Sequence, residues 1–297
     1  MRCLITKFAV AGLVSTTALG VFISGAKAAD FSVTQDDNFS DLLSILLGDT
    51  TGLSSFSGSV EGDSRAFGIF EDDPFGLESG VVLSTGLVEE IPGENTVDSG
   101  GFALADLSTD LGEPGIDSNT FDTATLTINF EADPTVEKLF FQYVFGSEEF
   151  LEFAGSAFND FFTLKLNGEN LALLDDSIGT DDIVSINNLA NTDASPALFS
   201  SEYVDNPAAP GTLTKLDGYT VPLTFQGDVL TGLNTLEIQI SDVADARWDS
   251  AVFIKAGTLG TKDIVDPIGV PEPSSALTLL TLGVLGTGFG LRQRRLN

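Results

Sequence analysis

Thr125-Leu126-Thr127-Ile128-Asn129-Phe130 places an apolar side chain at every second position, with a polar one between. Strand side chains alternate across a sheet, so a period of two describes a strand with one buried face and one wet face. Phe162 to Leu166 and Leu236-Glu237-Ile238-Gln239-Ile240 repeat the pattern. Leu139 to Phe145 and Ala251 to Ile254 are nearly continuous apolar runs, as suits central strands. Asn167-Gly168, Gly211, Asp217-Gly218 and Gly232 punctuate these runs. Of these, Asn167-Gly168, followed by Leu171 to Leu174, has the composition of a two-residue hairpin turn. Asp41 to Leu47 predicts one helix, begun by a cap at Asp37 or Ser40 and ended by Gly48. The expected fold is all-β: an antiparallel β-sandwich, jelly-roll-like, with one short N-terminal helix. The 23 phenylalanines read as its core, since most fall inside alternating strands, although exposed rings would also suit a sugar platform.

Composition narrows the chemistry. The 297 residues carry 44 acidic and 13 basic side chains, no histidine, one cysteine and one methionine. A net charge of −31 argues against a nucleic-acid partner, which requires clustered lysine and arginine. Without histidine there is no Ser-His-Asp triad and no imidazole acid or base. At 42% apolar and 19% charged residues, the chain is expected to be globular despite its acidity.

The two ends read as addresses. Arg2 and Lys7, the apolar run Phe8 to Ile23 and Ala26-Lys27-Ala28 make residues 1–28 a signal peptide, cut after Ala28; a retained N-terminal anchor is the alternative. Cleavage removes Met1 and Cys3, so the mature protein would contain no sulfur and no disulfide. At the other end, Val270, Pro271, Glu272 and Pro273 precede an uncharged stretch, 274–291, and then Arg292, Arg294 and Arg295. Eighteen helical residues extend about 27 Å, just enough for a hydrocarbon core of about 30 Å. Basic residues at both ends place the body across the membrane from the cytoplasm. The expected organisation is signal peptide 1–28, β-sandwich 29–262, linker 263–270 and a sorting tail 271–297. Residues 29–270 then hold 43 acidic and 7 basic groups, a net charge of −36.

The tail resembles the PEP-CTERM protein-sorting signal of Gram-negative bacteria, through Val-Pro-Glu-Pro, the apolar span and Arg-x-Arg-Arg. The resemblance implies removal of the span by an exosortase, after an initial cut by signal peptidase and transient membrane attachment. It also implies a cell-surface or extracellular-matrix destination. An ordinary single-span anchor is the plainer reading.

Two acidic segments stand out in the body. Residues 145–162 contribute Glu148, Glu149, Glu152, Asn159 and Asp160 between two strands. Residues 240–254 contribute Asp242, Asp245 and Asp249, in an expected loop between two more. The Ser-Glu-Glu, Phe-Asn-Asp and Asp-x-x-Asp-x-x-x-Asp-Ser-Ala-Val-Phe patterns resemble the choice-of-anchor L family, with supporting matches at Leu83 to Gly86, Val184 to Asn187 and Leu216 to Tyr219. The resemblance covers most of residues 35–258 and implies an extracellular domain without an established enzymatic activity.

Calcium is the candidate cofactor. Hard cations take six to eight oxygen ligands, and with no histidine and no cysteine left after cleavage, only oxygen donors remain. Glu148, Glu149, Glu152, Asn159, Asp160, Asp242, Asp245 and Asp249 form the candidate ligand set. A solvated acidic surface is the competing reading, because triplets of carboxylates arise often by chance in so acidic a chain. A glycoside hydrolase using Glu148, Glu149 or Glu152 against Asp249, with Trp248 as a sugar platform, is the enzymatic alternative. The reading adopted is a non-enzymatic structural or adhesive protein that meets extracellular polysaccharide or another surface protein.

Overall fold

In a computed structural model, residues 30–97 and 105–264 are described. The leader through Ala28 and the tail residues Val270 to Pro273, Arg292, Arg294 and Arg295 lie outside them. Among the described residues no helix is long and apolar enough to cross a membrane.

The strands, numbered in chain order, form two antiparallel sheets. The first contains, in order, β1 (Ser32–Gln35), β3 (Phe67–Glu71), β4 (Ser79–Ser84), β16 (Ser250–Lys255), β6 (Lys138–Ser147), β13 (Gly218–Thr220) and β12 (Tyr203–Asp205), with β14 (Leu223–Asp228) also paired to β6. The second contains β2 (Leu53–Glu61), β5 (Thr120–Ala132), β15 (Gly232–Val243), β7 (Phe161–Leu166) and β8 (Glu169–Asn170), with β9 (Val184–Ser185) also on β7. A small ribbon pairs β10 (Ala190–Asn191) with β11 (Leu198–Phe199). The alternating segments lie in β5, β7 and β15, which run side by side, and the continuous apolar runs lie in β6 and β16 at the centre of the first sheet.

One apolar core joins the sheets. Leu126, Ile128 and Phe130 of β5, Phe162 and Leu164 of β7, and Leu236, Ile238 and Ile240 of β15 meet Phe141, Tyr143 and Phe145 of β6, Val252 and Ile254 of β16, and Val81 and Leu83 of β4. The opposite face of the first sheet is also buried. There Val82, Val144, Ala251 and Phe253 pack under a cover that includes Phe31, Phe75, Leu77, Val88 and Leu107. Double coverage is why β6 and β16 read as unbroken apolar runs rather than alternating ones.

Local signals mostly held, with two differences. Helix α1 (Phe39–Leu46) buries Leu42, Leu43 and Leu46, but its cap is Asn38, whose side chain accepts from the Ser40 and Asp41 amides. Asn is among the strongest N-caps, and it outcompetes Asp37 and Ser40 on either side. Asn167 and Gly168 do form the hairpin turn, at φ 54° and 89°. The returning strand β8 is only two residues long, so Leu171 to Leu174 lie entirely beyond it. Among the described residues twelve phenylalanines are buried, and Phe199, 47% exposed, is the one largely exposed.

Phe141 is fully buried and stacks on Phe225 with centroids 4.6 Å apart. Phe141→Ala should lower unfolding free energy by about 3–5 kcal/mol in chemical denaturation. A loss below about 1 kcal/mol would mean that this end of the core is not packed as described.

Candidate metal centre

The inner rows of five strands change character at one end of the sandwich. On the first sheet, Leu83 of β4 is followed two residues on by Thr85, Phe145 of β6 by Ser147, and Val252 of β16 is preceded by Ser250. On the second, Phe162 of β7 is preceded by Asp160, and Ile240 of β15 is followed by Asp242. Three hydroxyls on one side therefore face carboxylates on the other. Asp160 and Asp242 lie opposite each other, one step beyond the last strand pair, Ser241↔Phe161. The register of β5 and β15 shifts between Ile240 and Asp242, and Asp122, at φ 44°, takes the bulge and is buried beside them.

Hydrogen bonds fix this layer. The Ser250 hydroxyl donates to Asp160 Oδ2 at 2.7 Å and lies 2.9 Å from the Ser147 hydroxyl. The Val243 amide donates to Asp160 Oδ1 at 2.9 Å, and the Ser250 amide to the Thr85 hydroxyl at 2.9 Å. Glu149 follows Ser147, whose hydroxyl accepts from the Glu149 amide.

Glu148 and Asp249 belong to the same end but to the other face of the first sheet. The Glu148 amide donates to the Asp249 carbonyl. Glu148 Oε1 accepts from the Asp106 amide at 2.6 Å, and Asp249 Oδ1 from the Thr109 amide at 2.9 Å. Gly86 lies against the Asp249 carboxylate, where any Cβ would collide with it.

Glu148, Glu149, Asp160, Asp242 and Asp249 are each at most 2% exposed. No lysine or arginine is buried among the described residues. Arg65, Lys138, Lys165 and Lys262 pair at the surface with Asp63, Asp228, Glu237 and Asp49. Arg247 acts on Asp245 at the rim. Burial pushes the Glu148 carboxyl up to about 9 and Asp249 up to about 8. Glu149 and Asp242 are raised first by burial and second by the Asp160 charge. Asp160 is itself raised by burial, against the Ser250 and Val243 hydrogen bonds. Four carboxylate oxygens in this cluster have no hydrogen-bond partner: Glu148 Oε2, Glu149 Oε2 and both oxygens of Asp242. Asp242 lies close to Thr85 and Asp160 but makes no well-formed bond to either.

Of the eight expected ligands, five therefore assemble and Asp245 sits at the rim. It helps line a surface cavity of about 430 Å³ together with Asp110, Glu113, Phe121, Asp122 and Arg247. Glu152 lies toward Tyr203, and Asn159 accepts from the Asn187 amide instead. The expected loop position of the Asp triplet needs correction: Asp242 is inside β15, and Asp249 directly abuts β16. Trp248 is 4% exposed and packed edge-on against Phe153, so it offers no ring face to a sugar. Asp122, Thr85, Ser147 and Ser250 were not singled out from the sequence. Their signal was a polar side chain two places beyond an inward-facing apolar one.

The donor set is all oxygen and suits a hard cation. As they stand, no three Asp or Glu side chains among the described residues form a group able to hold a metal ion. Each ion would have to draw on neutral oxygens as well, such as Thr85, Ser147 and Ser250.

A family model described as Choice-of-anchor L domain matches residues 32–260. A second, described as PEP-CTERM protein-sorting motif, matches residues 269–295 and carries with it export and exosortase-dependent sorting to the surface. No curated protein and no solved structure matches the chain.

A carboxyl with a raised folded pKa binds its proton more tightly in the folded state, so its stabilising effect is complete below about pH 4 and fades as pH rises. Here the loss should run through the folded values of about 8 and about 9. In chelator, the protein should melt at higher temperature near about pH 5 than near about pH 8. Equal melting at both would count against unbalanced buried carboxylates.

Proposed function

The chain belongs to the choice-of-anchor L family, and from that premise we propose that it is a non-enzymatic structural or adhesive protein of the extracellular matrix whose sandwich is held together by calcium. One observation carries the calcium reading: six buried carboxylates, Asp122, Glu148, Glu149, Asp160, Asp242 and Asp249, share one end of the fold with no buried lysine or arginine beside them. Isolated buried charges cost several kcal/mol each, so the cluster must take up protons or a metal ion. Outside the cell, calcium is the oxygen-seeking divalent ion in supply, and the unpartnered oxygens of Asp242, Glu148 and Glu149 are suited to it.

The burial that favours a metal disfavours hydrolysis. A glycosidase needs two carboxylates flanking an open cleft. Glu148, Glu149 and Asp249 are sealed inside, and Trp248 is packed away. The structural or adhesive part of the reading rests on the sorting motif and the surface destination that goes with it.

Calcium added to the chelated protein should raise its melting temperature and give a binding heat, more strongly near about pH 8 than near about pH 5, because protons compete for the same oxygens. Neither effect at either pH would remove the calcium reading. In the producing cell, the intact protein should fractionate with the extracellular matrix, whereas deletion of Val270 to Pro273 should leave it unprocessed in the membrane fraction. Unchanged release of the deletion variant would rule out exosortase handling.

A further inference from the structure

Asn159 is an expected ligand that lies outside the acidic cluster, and its surroundings form a different kind of site. It borders a surface cavity of about 250 Å³ made by the segments 155–159, 179–181 and 187–191. Four asparagines line that cavity: Asn159, Asn187 and Asn188 of the short helix Ile186–Leu189, and Asn191 of β10. No leucine, isoleucine, valine or aromatic side chain lines it, and its one charged side chain is Asp181.

The hydrogen bonds decide which atoms are left for a ligand. The Asn187 amide donates to the Asn159 side chain at 2.8 Å, and the Ala194 amide to the Asn191 side chain at 3.0 Å. A backbone N–H can only donate, so the atom it meets in each carboxamide is the oxygen. That identifies the NH2 groups of Asn159 and Asn191, and neither has a partner among the described residues. The other two asparagines are spent on the frame. Asn187 bridges the Gly155 amide and the Ser156 carbonyl, and Asn188 donates to Asp181 Oδ1 and the Ile183 carbonyl. Gly155, at φ 101°, closes the wall, since a Cβ there would come within 2.5 Å of Asn191 Oδ1.

These groups select a ligand class. Free NH2 groups present hydrogens rather than lone pairs to a cation, and the Asp181 carboxylate repels an anion. The walls offer no apolar surface to a lipid or an aliphatic side chain. A sugar hydroxyl both accepts and donates. It can take a hydrogen from Asn159 or Asn191 and return one to the second lone pair of a carboxamide oxygen. The volume falls below the range of about 300–1,000 Å³ for drug-sized ligands, so it suits one sugar unit rather than several.

We propose that this cavity binds one neutral sugar unit of a polysaccharide, with the NH2 groups of Asn159 and Asn191 donating to its hydroxyls. The site rests on the adhesive reading above for its partner, and it is separate from the calcium reading.

The test is saturation-transfer NMR of the purified full-length protein in excess calcium. Glucose, galactose, mannose and N-acetylglucosamine are each titrated to about 100 mM, enough to fill a site with a millimolar dissociation constant. At least one should bind saturably, and glucuronate should not compete for it. Asn159→Asp combined with Asn191→Asp keeps both accepting oxygens and removes only the donors, so binding should weaken at least about tenfold. An unchanged melting temperature checks that this double variant is folded. Thr180→Trp, at an exposed lining position, should block the cavity without touching any of these bonds. Saturable binding of none of the four sugars would overturn the proposal, and so would binding undiminished in both variants. Competition by glucuronate would overturn the neutral class. A chain that fractionates with the matrix yet binds none of these sugars would remove this site and leave the adhesive reading standing.

Discussion

Everything distinctive about this fold follows from carboxylates enclosed without a counter-charge. A sandwich of two antiparallel sheets normally fills its interior with apolar side chains from end to end. Here the inner rows of β6, β7, β15 and β16 are apolar for most of their length and then turn to Ser147, Asp160, Asp242 and Ser250. The apolar part supplies ordinary burial free energy. The polar part opposes folding whenever its carboxylates are ionised and bare, so the same strands contribute both the cohesion of the domain and its dependence on solution conditions.

The two faces of the first sheet share that dependence. β6 and β16 are covered on both sides, by the second sheet and by the loop layer around Phe75, Val88 and Leu107. Their ends deliver Glu148 and Asp249 to one side and Ser147 and Ser250 to the other. The strands with the least access to water thus carry the acidic end, and it is tied to the centre of the core rather than to a surface loop.

The fold was legible because its signals are local. The alternation of Leu126, Ile128 and Phe130, the Asn167-Gly168 turn and the apolar runs of β6 and β16 each depend on nearest neighbours along the chain. The cap of α1, the length of β8 and the reach of β15 through Asp242 depart from expectation at element ends, where several polar residues compete. A second short helix, Ile186–Leu189, was not expected. The site was legible in composition but not in placement. Glu148, Glu149, Asp160, Asp242 and Asp249 stand out as acidic groups beside strongly apolar strands, yet that position cannot separate them from Glu152, which lies toward Tyr203, or Asn159, which serves a loop. The spacing of the Asp triplet between two strands predicts a loop for Asp242 as well. The strand in fact continues through it, and the inward row of Leu236, Ile238 and Ile240 already pointed to burial. Thr85, Ser147 and Ser250 fall inside the motifs that carry the family resemblance, but a hydroxyl at a strand end has no assignable role until its register is known.

The sealing of the acidic end also governs time. Glu148, Glu149, Asp160, Asp242 and Asp249 are at most 2% exposed, so a proton or cation reaches them through local opening of the structure around them. Such openings are rare events drawn from the slow end of native-state fluctuations. Exchange at this end is therefore expected to be slower than at the rim around Asp245, and its pace to follow the rate at which the sandwich opens rather than the rate of diffusion.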